Sequence, residues 1–98
     1  MDIEESRRKI DQLDEALLKL LNERAKCTIE IGRLKKEHSL PIYDPERERQ
    51  IFKRLEKLNH GPLSHQAVRR LFERIIDESR HLEKDVMLER KSSSGKGK

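Results

Sequence analysis

Residues 3–37, IEESRRKIDQLDEALLKLLNERAKCTIEIGRLKKE, decide the fold. They contain no proline, and Ile10, Leu13, Leu17, Leu20, Leu21, Thr28 and Ile31 recur at the three- and four-residue spacing that marks one face of an α-helix. This predicts one helix of about 34 residues, roughly 50 Å long at 1.5 Å per residue. A compact domain of this size has a radius of gyration near ~13 Å, so the helix must overshoot its own fold. Its exposed apolar ends need cover that the rest of a 98-residue chain cannot fully supply. An intertwined homodimer is the simplest solution. A rod-like coiled coil is the competing assembly, but the stripe is not a sustained a/d heptad and prolines interrupt the later segments.

Outward from that stretch, Pro41, Pro45, Gly61 and Pro62 punctuate the chain, while Gly32 lies inside the first helical pattern. A second helix begins at Asp44-Pro45-Glu46, where Asp can cap, Pro suits the first helical position and Glu favours the positive helix end. It carries Ile51, Phe52, Leu55 and Leu58 and stops at Asn59-His60-Gly61-Pro62. Ser64 can cap a third, with Val68, Leu71, Phe72, Ile75, Ile76, Leu82 and Val86 on one stripe. The expected fold is all-α, with one long and two shorter helices per chain in an intertwined homodimeric bundle. One helical domain is expected over residues 1–90, followed by a disordered basic tail of Ser, Gly and Lys over 91–98.

Composition narrows the function. With 98 residues a two-domain enzyme is excluded, and 33% hydrophobic against 43% charged residues leaves a monomer only a thin core. The formal charge of +4 falls to +1 once Lys91, Lys96 and Lys98 of the tail are set aside, so the body lacks the basic stripe that nucleic acid requires. No run approaches the roughly 18 apolar residues of a membrane span, and the Met1-Asp-Ile-Glu-Glu start is too polar for a signal peptide. A cytoplasmic location is the expectation. Cys27 stands alone, which removes internal disulfides and cysteine zinc sets; it reads as a small packing residue.

The informative residues are polar ones on apolar faces. Projected at ~100° per residue from Arg7, the first helix carries its large apolar side chains between about 220° and 320°, with Arg24 near 260° and Lys35 near 280°. An unpaired charge in such a stripe is costly, so an anion should meet these cations. Glu48 shares the inner face of Ile51 and Phe52, and Ser79 and Glu83 fall within the apolar arc of the third helix. Arg24 and Lys35 are 11 residues, roughly 16 Å, apart, a gap that two long side chains can close around a small ligand. Arg7 is 17 residues and roughly 25 Å from Arg24, so it can share that ligand only from a partner's helix. The inward set has no His/Cys/Asp constellation, no Gly-rich phosphate loop and no metal-ligand spacing. It suits a small di-acid held by orientation and electrostatic complementarity.

Five stretches in order carry a family resemblance: Arg7-Arg-Lys-Ile-Asp-Gln-Leu-Asp14, Leu20-Leu-Asn-Glu-Arg24, Ile31-Gly-Arg-Leu-Lys35, Pro41-Ile-Tyr-Asp-Pro-Glu-Arg-Glu-Arg49 and Leu71-Phe-Glu-Arg-Ile-Ile-Asp-Glu-Ser79. Over roughly Ser6 to Asp85 the chain resembles the all-helical chorismate mutases, small intertwined dimers of aromatic amino acid biosynthesis. The resemblance implies a cofactor-free Claisen rearrangement of chorismate to prephenate, with no metal and no covalent intermediate. It implies that Arg24 and the partner's Arg7 hold the two substrate carboxylates, with Arg47 and Ser79 nearby. Lys35 would donate to the ether oxygen, and Glu48 would bind the ring hydroxyl, with Asp44 at the same site while capping the second helix. Two other readings compete: an isochorismate-pyruvate lyase of the same fold, and a non-catalytic helical dimerisation or regulatory module whose inward charges are internal ion pairs.

Where many relatives have Gln opposite the ether oxygen, this chain has Glu83, as the fungal enzymes resembling it do. A carboxylate only accepts, so to donate a hydrogen bond Glu83 must hold its proton; the alternative is an ordinary ion pair with Lys35. The donor reading predicts activity favoured at mildly acidic pH, with Glu83→Gln flattening the profile. Rate constants measured across roughly pH 5 to 8 check it, and equal values for the native protein would count against it.

Overall fold

The computed structural model describes residues 2–96, with side chains described through Leu88. Three helices follow one another: α1 over Ile3–Glu37, α2 over Pro45–Leu58 and α3 over His65–Lys96. α3, expected among the two shorter helices, spans 32 residues against 35 for α1, because nothing after its start interrupts it. Its backbone passes the boundary expected at residue 90. Side chains of the proposed 91–98 tail, and all of residues 97 and 98, lie outside the described residues.

The helix ends follow the local chemistry. At the start of α1, the Asp2 carboxylate accepts from the Glu5 N–H at 2.8 Å and the Glu5 carboxylate accepts from the Asp2 N–H at 3.2 Å, a reciprocal capping box. At its exit, the Leu40 N–H reaches back to the Lys35 carbonyl at 2.8 Å and the Ser39 N–H to the Lys36 carbonyl at 3.3 Å. This is a Schellman closure, with Ser39 at φ 56° in the place glycine usually takes. It turns the chain at once from Lys35 toward α2. Asp44 caps α2 by accepting from the Arg47 N–H at 3.1 Å, with Pro45 behind it. Ser64 caps α3 by accepting from the Ala67 N–H at 3.0 Å.

α3 packs against both other helices. It comes close to α1 at Gly32, where an added Cβ would stand 3.3 Å from the Glu83 Cα and 3.3 Å from the Val86 Cβ. The buried set is small: Thr28 and Gly32 on α1, Ile51 on α2, and Ile76, Glu83 and Val86 on α3. The apolar face predicted for α1 is therefore largely uncovered within the chain. Near its C-terminal end Thr28 is buried, whereas Ile10, Leu13, Leu17, Leu20, Leu21 and Ile31 are exposed by 41–60%. Cys27, expected to pack, is exposed as well. The radius of gyration is 17.2 Å, well above the ~13 Å of a compact chain, which matches a first helix that outruns its cover.

The approach at Gly32 can be tested directly. Overpacking typically costs about 1–3 kcal/mol, so Gly32→Leu should lower the urea midpoint at fixed protein concentration. Gly32→Ala should have a smaller effect, because about 0.8–1 kcal/mol of helix propensity offsets the crowding. An unchanged midpoint for the leucine variant would show that α1 and α3 do not touch there.

Candidate active site on the seam of α3

Because α3 has two neighbours, its successive residues serve different helices. Ser79 faces α1: its hydroxyl donates to the Ile75 carbonyl at 3.0 Å, which turns the oxygen lone pairs toward the Arg24 guanidinium, 2.6 Å away. One turn on, Glu83 is buried and accepts from the Lys35 ammonium at 2.9 Å. Lys35 also donates to the Ile42 carbonyl at 2.8 Å, in the loop that the Schellman closure has just started. Two of its three N–H donors are thus occupied, and their positions set the direction of the third. The side chains of Lys35 and Glu83 are only 15% and 11% exposed, so this pair is shielded from solvent.

Arg24 is in a different electrostatic position. Its guanidinium meets a hydroxyl, and among the described residues no carboxylate pairs with it. Burial pushes its pKa below the usual arginine value, and the Arg47 cation at the start of α2 pushes the same way. A partly buried cation beside a second cation is a site that an anion would relieve.

The remaining residues read from the sequence fall as follows. Glu48 is partly buried and bonded to Arg80 of α3 at 2.7 and 3.0 Å. Asp44 and Arg47 are exposed at the start of α2, the first as its cap. Arg7 is exposed and 3.7 Å from Glu4 of its own helix, so a single chain does not bring it to the seam. Two hollows lie between α2 and α3; neither is lined by Arg24, Lys35, Ser79 or Glu83, while Glu48 and Arg80 border the second. The seam of α1 and α3 borders neither of these hollows. Among the described residues, no group of three His, Cys, Asp or Glu side chains could hold a metal ion. Arg80 and the Ile42 carbonyl were not singled out from the sequence. A projection that sought one buried arc on α3 overlooks a second arc facing α2.

The pattern of the chorismate mutase type II family matches residues 6–84. The chain belongs to that family. A bifunctional chorismate mutase/prephenate dehydratase of Aquifex aeolicus is 40% identical over 89 residues, covering 87% of this chain and 25% of that protein. The chain thus spans about a quarter of the length of the bifunctional relatives it matches. A chorismate mutase of Methanocaldococcus jannaschii is 32% identical over 94 residues, covering 94% of each chain. Among solved structures, the chorismate mutase of Helicobacter pylori in complex with prephenate is similar at a TM-score of 0.82, with 31% identity over 89% of this chain and 94% of that one. The all-helical fold is that of these mutases. Among the described residues no helix is long and apolar enough to cross a membrane.

The two seam cations should behave oppositely when removed. Lys35→Met strands the buried Glu83 carboxylate and should cost about 3 kcal/mol, the low end for breaking a buried pair. Arg24→Met removes a desolvated cation that repels Arg47 and should leave the thermal midpoint unchanged or higher. Thermal denaturation of both variants checks this; comparable losses would mean that Arg24 is a structural ion-pair partner.

Proposed function

We propose that the protein is a chorismate mutase, converting chorismate to prephenate in the biosynthesis of phenylalanine and tyrosine without a cofactor. The observation that carries this reading is Arg24, a partly buried cation unpaired by any carboxylate among the described residues and crowded by Arg47. It suits a substrate carboxylate. The reaction breaks an ether C–O bond as a C–C bond forms, so no proton needs to move. The protein has to hold the enolpyruvyl arm over the ring and stabilise negative charge growing on the ether oxygen.

Each group then has a task. Arg24, oriented by Ser79, binds one carboxylate, and Arg7 of a second copy binds the other, with Arg47 adding positive potential. The free donor of Lys35 points to the ether oxygen, held by the Ile42 carbonyl and Glu83. Glu83 completes the same end of the site. Glu48 accepts from the ring hydroxyl, with Asp44 beside it at the start of α2. The homodimer supplies the cover that the exposed Ile10, Leu13, Leu17 and Leu21 need, and it encloses the substrate at the seam. We place the protein in the cytoplasm, where an exposed lone thiol such as Cys27 stays reduced.

Purified protein added to chorismate should remove its diene absorbance and yield prephenate; unchanged chorismate would overturn the reading, and isochorismate in a parallel reaction separates mutase from lyase. The shared site has its own test. Arg7→Ala and Arg24→Ala variants should each be nearly inactive, whereas the two refolded together should recover roughly a quarter of the native sites, since half of the dimers are mixed and each holds one intact site. No recovery, with a mixed dimer confirmed by mass, would place Arg7 outside the site.

A further inference from the structure

The mutase reading assigns Glu48 a task but leaves unexplained how a flexible glutamate is held ready for it. Its carboxylate is gripped from α3. The Arg80 Nε and Nη2 donors both bond to Oε2, at 3.0 and 2.7 Å, and no donor among the described residues reaches Oε1. A side-on arginine more often spreads its two parallel donors over both oxygens of a carboxylate. Here the grip fixes the side chain through one oxygen and leaves the other free to accept.

Arg80 is itself held on two further sides. Its Nη1 donates to Asp77 at 3.4 Å on the preceding turn, and the guanidinium lies 5.7 Å from the centroid of the Tyr43 ring, in the loop that delivers the Ile42 carbonyl to Lys35. The Glu48 hydrogen bond raises its pKa further, so it stays a cation throughout the working range. The Glu48 side chain is 21% exposed and that of Arg80 is 39% exposed, so Glu48 is the more buried partner of the pair. Ser79 and Arg80 are adjacent in sequence, about 100° apart around α3, and each aligns a charged group on a different neighbouring helix.

We propose that Arg80 is a positioning residue for this site: it fixes Glu48 through Oε2 so that Oε1 receives the ring hydroxyl of the substrate. The inference rests on the mutase reading. It concerns recognition of that hydroxyl and not the carboxylates or the ether oxygen. Arg80 therefore acts through Glu48 and only for a substrate that has the hydroxyl.

The test compares chorismate with an analogue carrying hydrogen in place of the ring hydroxyl, using native protein, Arg80→Met, Arg80→Lys, Glu48→Gln and the Arg80→Met/Glu48→Gln double variant. On chorismate, Arg80→Met should lower kcat/KM about tenfold to a hundredfold, the range that one charge-assisted hydrogen bond supports. On the analogue its effect should stay within about twofold, and on chorismate the double variant should match Glu48→Gln within about twofold. Arg80→Lys should recover part of the loss, and it decides the matter by the same two-substrate comparison should Arg80→Met not fold. Equal losses on both substrates, losses that multiply in the double variant, or native kinetics in Arg80→Met would overturn the role of Arg80. If the native protein leaves chorismate unchanged, the mutase reading itself fails, an outcome distinct from active protein with additive variants.

Discussion

Close contact between α1 and α3 at Gly32 is the constraint on which the site depends. With no side chain there, the helix backbones approach until the Glu83 Cα stands 3.3 Å from where a Cβ would be. One turn further along α1, Lys35 is then near enough for a 2.9 Å bond to Glu83. A wider separation would leave a buried carboxylate without its cation, at a desolvation cost that a domain this small could not easily bear. The glycine carries no chemistry itself. It sets the distance at which the chemistry of its neighbours is possible.

Around that contact, the polar groups of the seam follow a single pattern: each charged side chain is aligned by a group that leaves part of its hydrogen-bonding capacity unused. Ser79 accepts from one Nη of Arg24 and leaves the rest of the fork free. Ile42 and Glu83 take two of the three donors of Lys35, and Arg80 takes one oxygen of Glu48. A structural network tends toward complete pairing, because an unpaired buried polar group costs about 1–3 kcal/mol. Among the described residues no buried side-chain N or O atom lacks a partner, so the unused donors and acceptors of these groups stay accessible to a ligand. The contribution of such groups to a reaction would be orientation and fixed charge.

The exposed half of α1 belongs to the same account. Six large apolar residues from Ile10 to Leu21 are exposed, too many for a helix face left in water. Arg7 lies on that same exposed length, far from Arg24 along the axis. In a dimer, one surface could bury the apolar stripe and deliver a cation to the neighbouring seam, so assembly and substrate binding would be parts of one arrangement.

Helix boundaries were legible in the sequence because they depend on neighbours a few residues apart. Asp44 with Pro45, the Asn59-His60-Gly61-Pro62 break and Ser64 each act locally, and the structure starts and ends α2 and starts α3 where those signals put them, whereas the far end of α3 runs past the expected boundary. Arg24, Lys35, Glu48, Ser79 and Glu83 were legible for a related reason: a polar residue within an apolar stripe breaks a period that one helix defines by itself. What the sequence could not determine is which helix each face meets. The apolar stripe of α1 reads as continuous, yet of its members only Thr28 is buried within the chain. Periodicity does not mark out Arg80, whose partner Glu48 lies on α2, and it shows Gly32 only as a glycine within the first helical pattern, not as the place where α3 comes close. Periodicity is a property of one element, whereas pairing across elements depends on crossing points and distances that only packing in three dimensions decides.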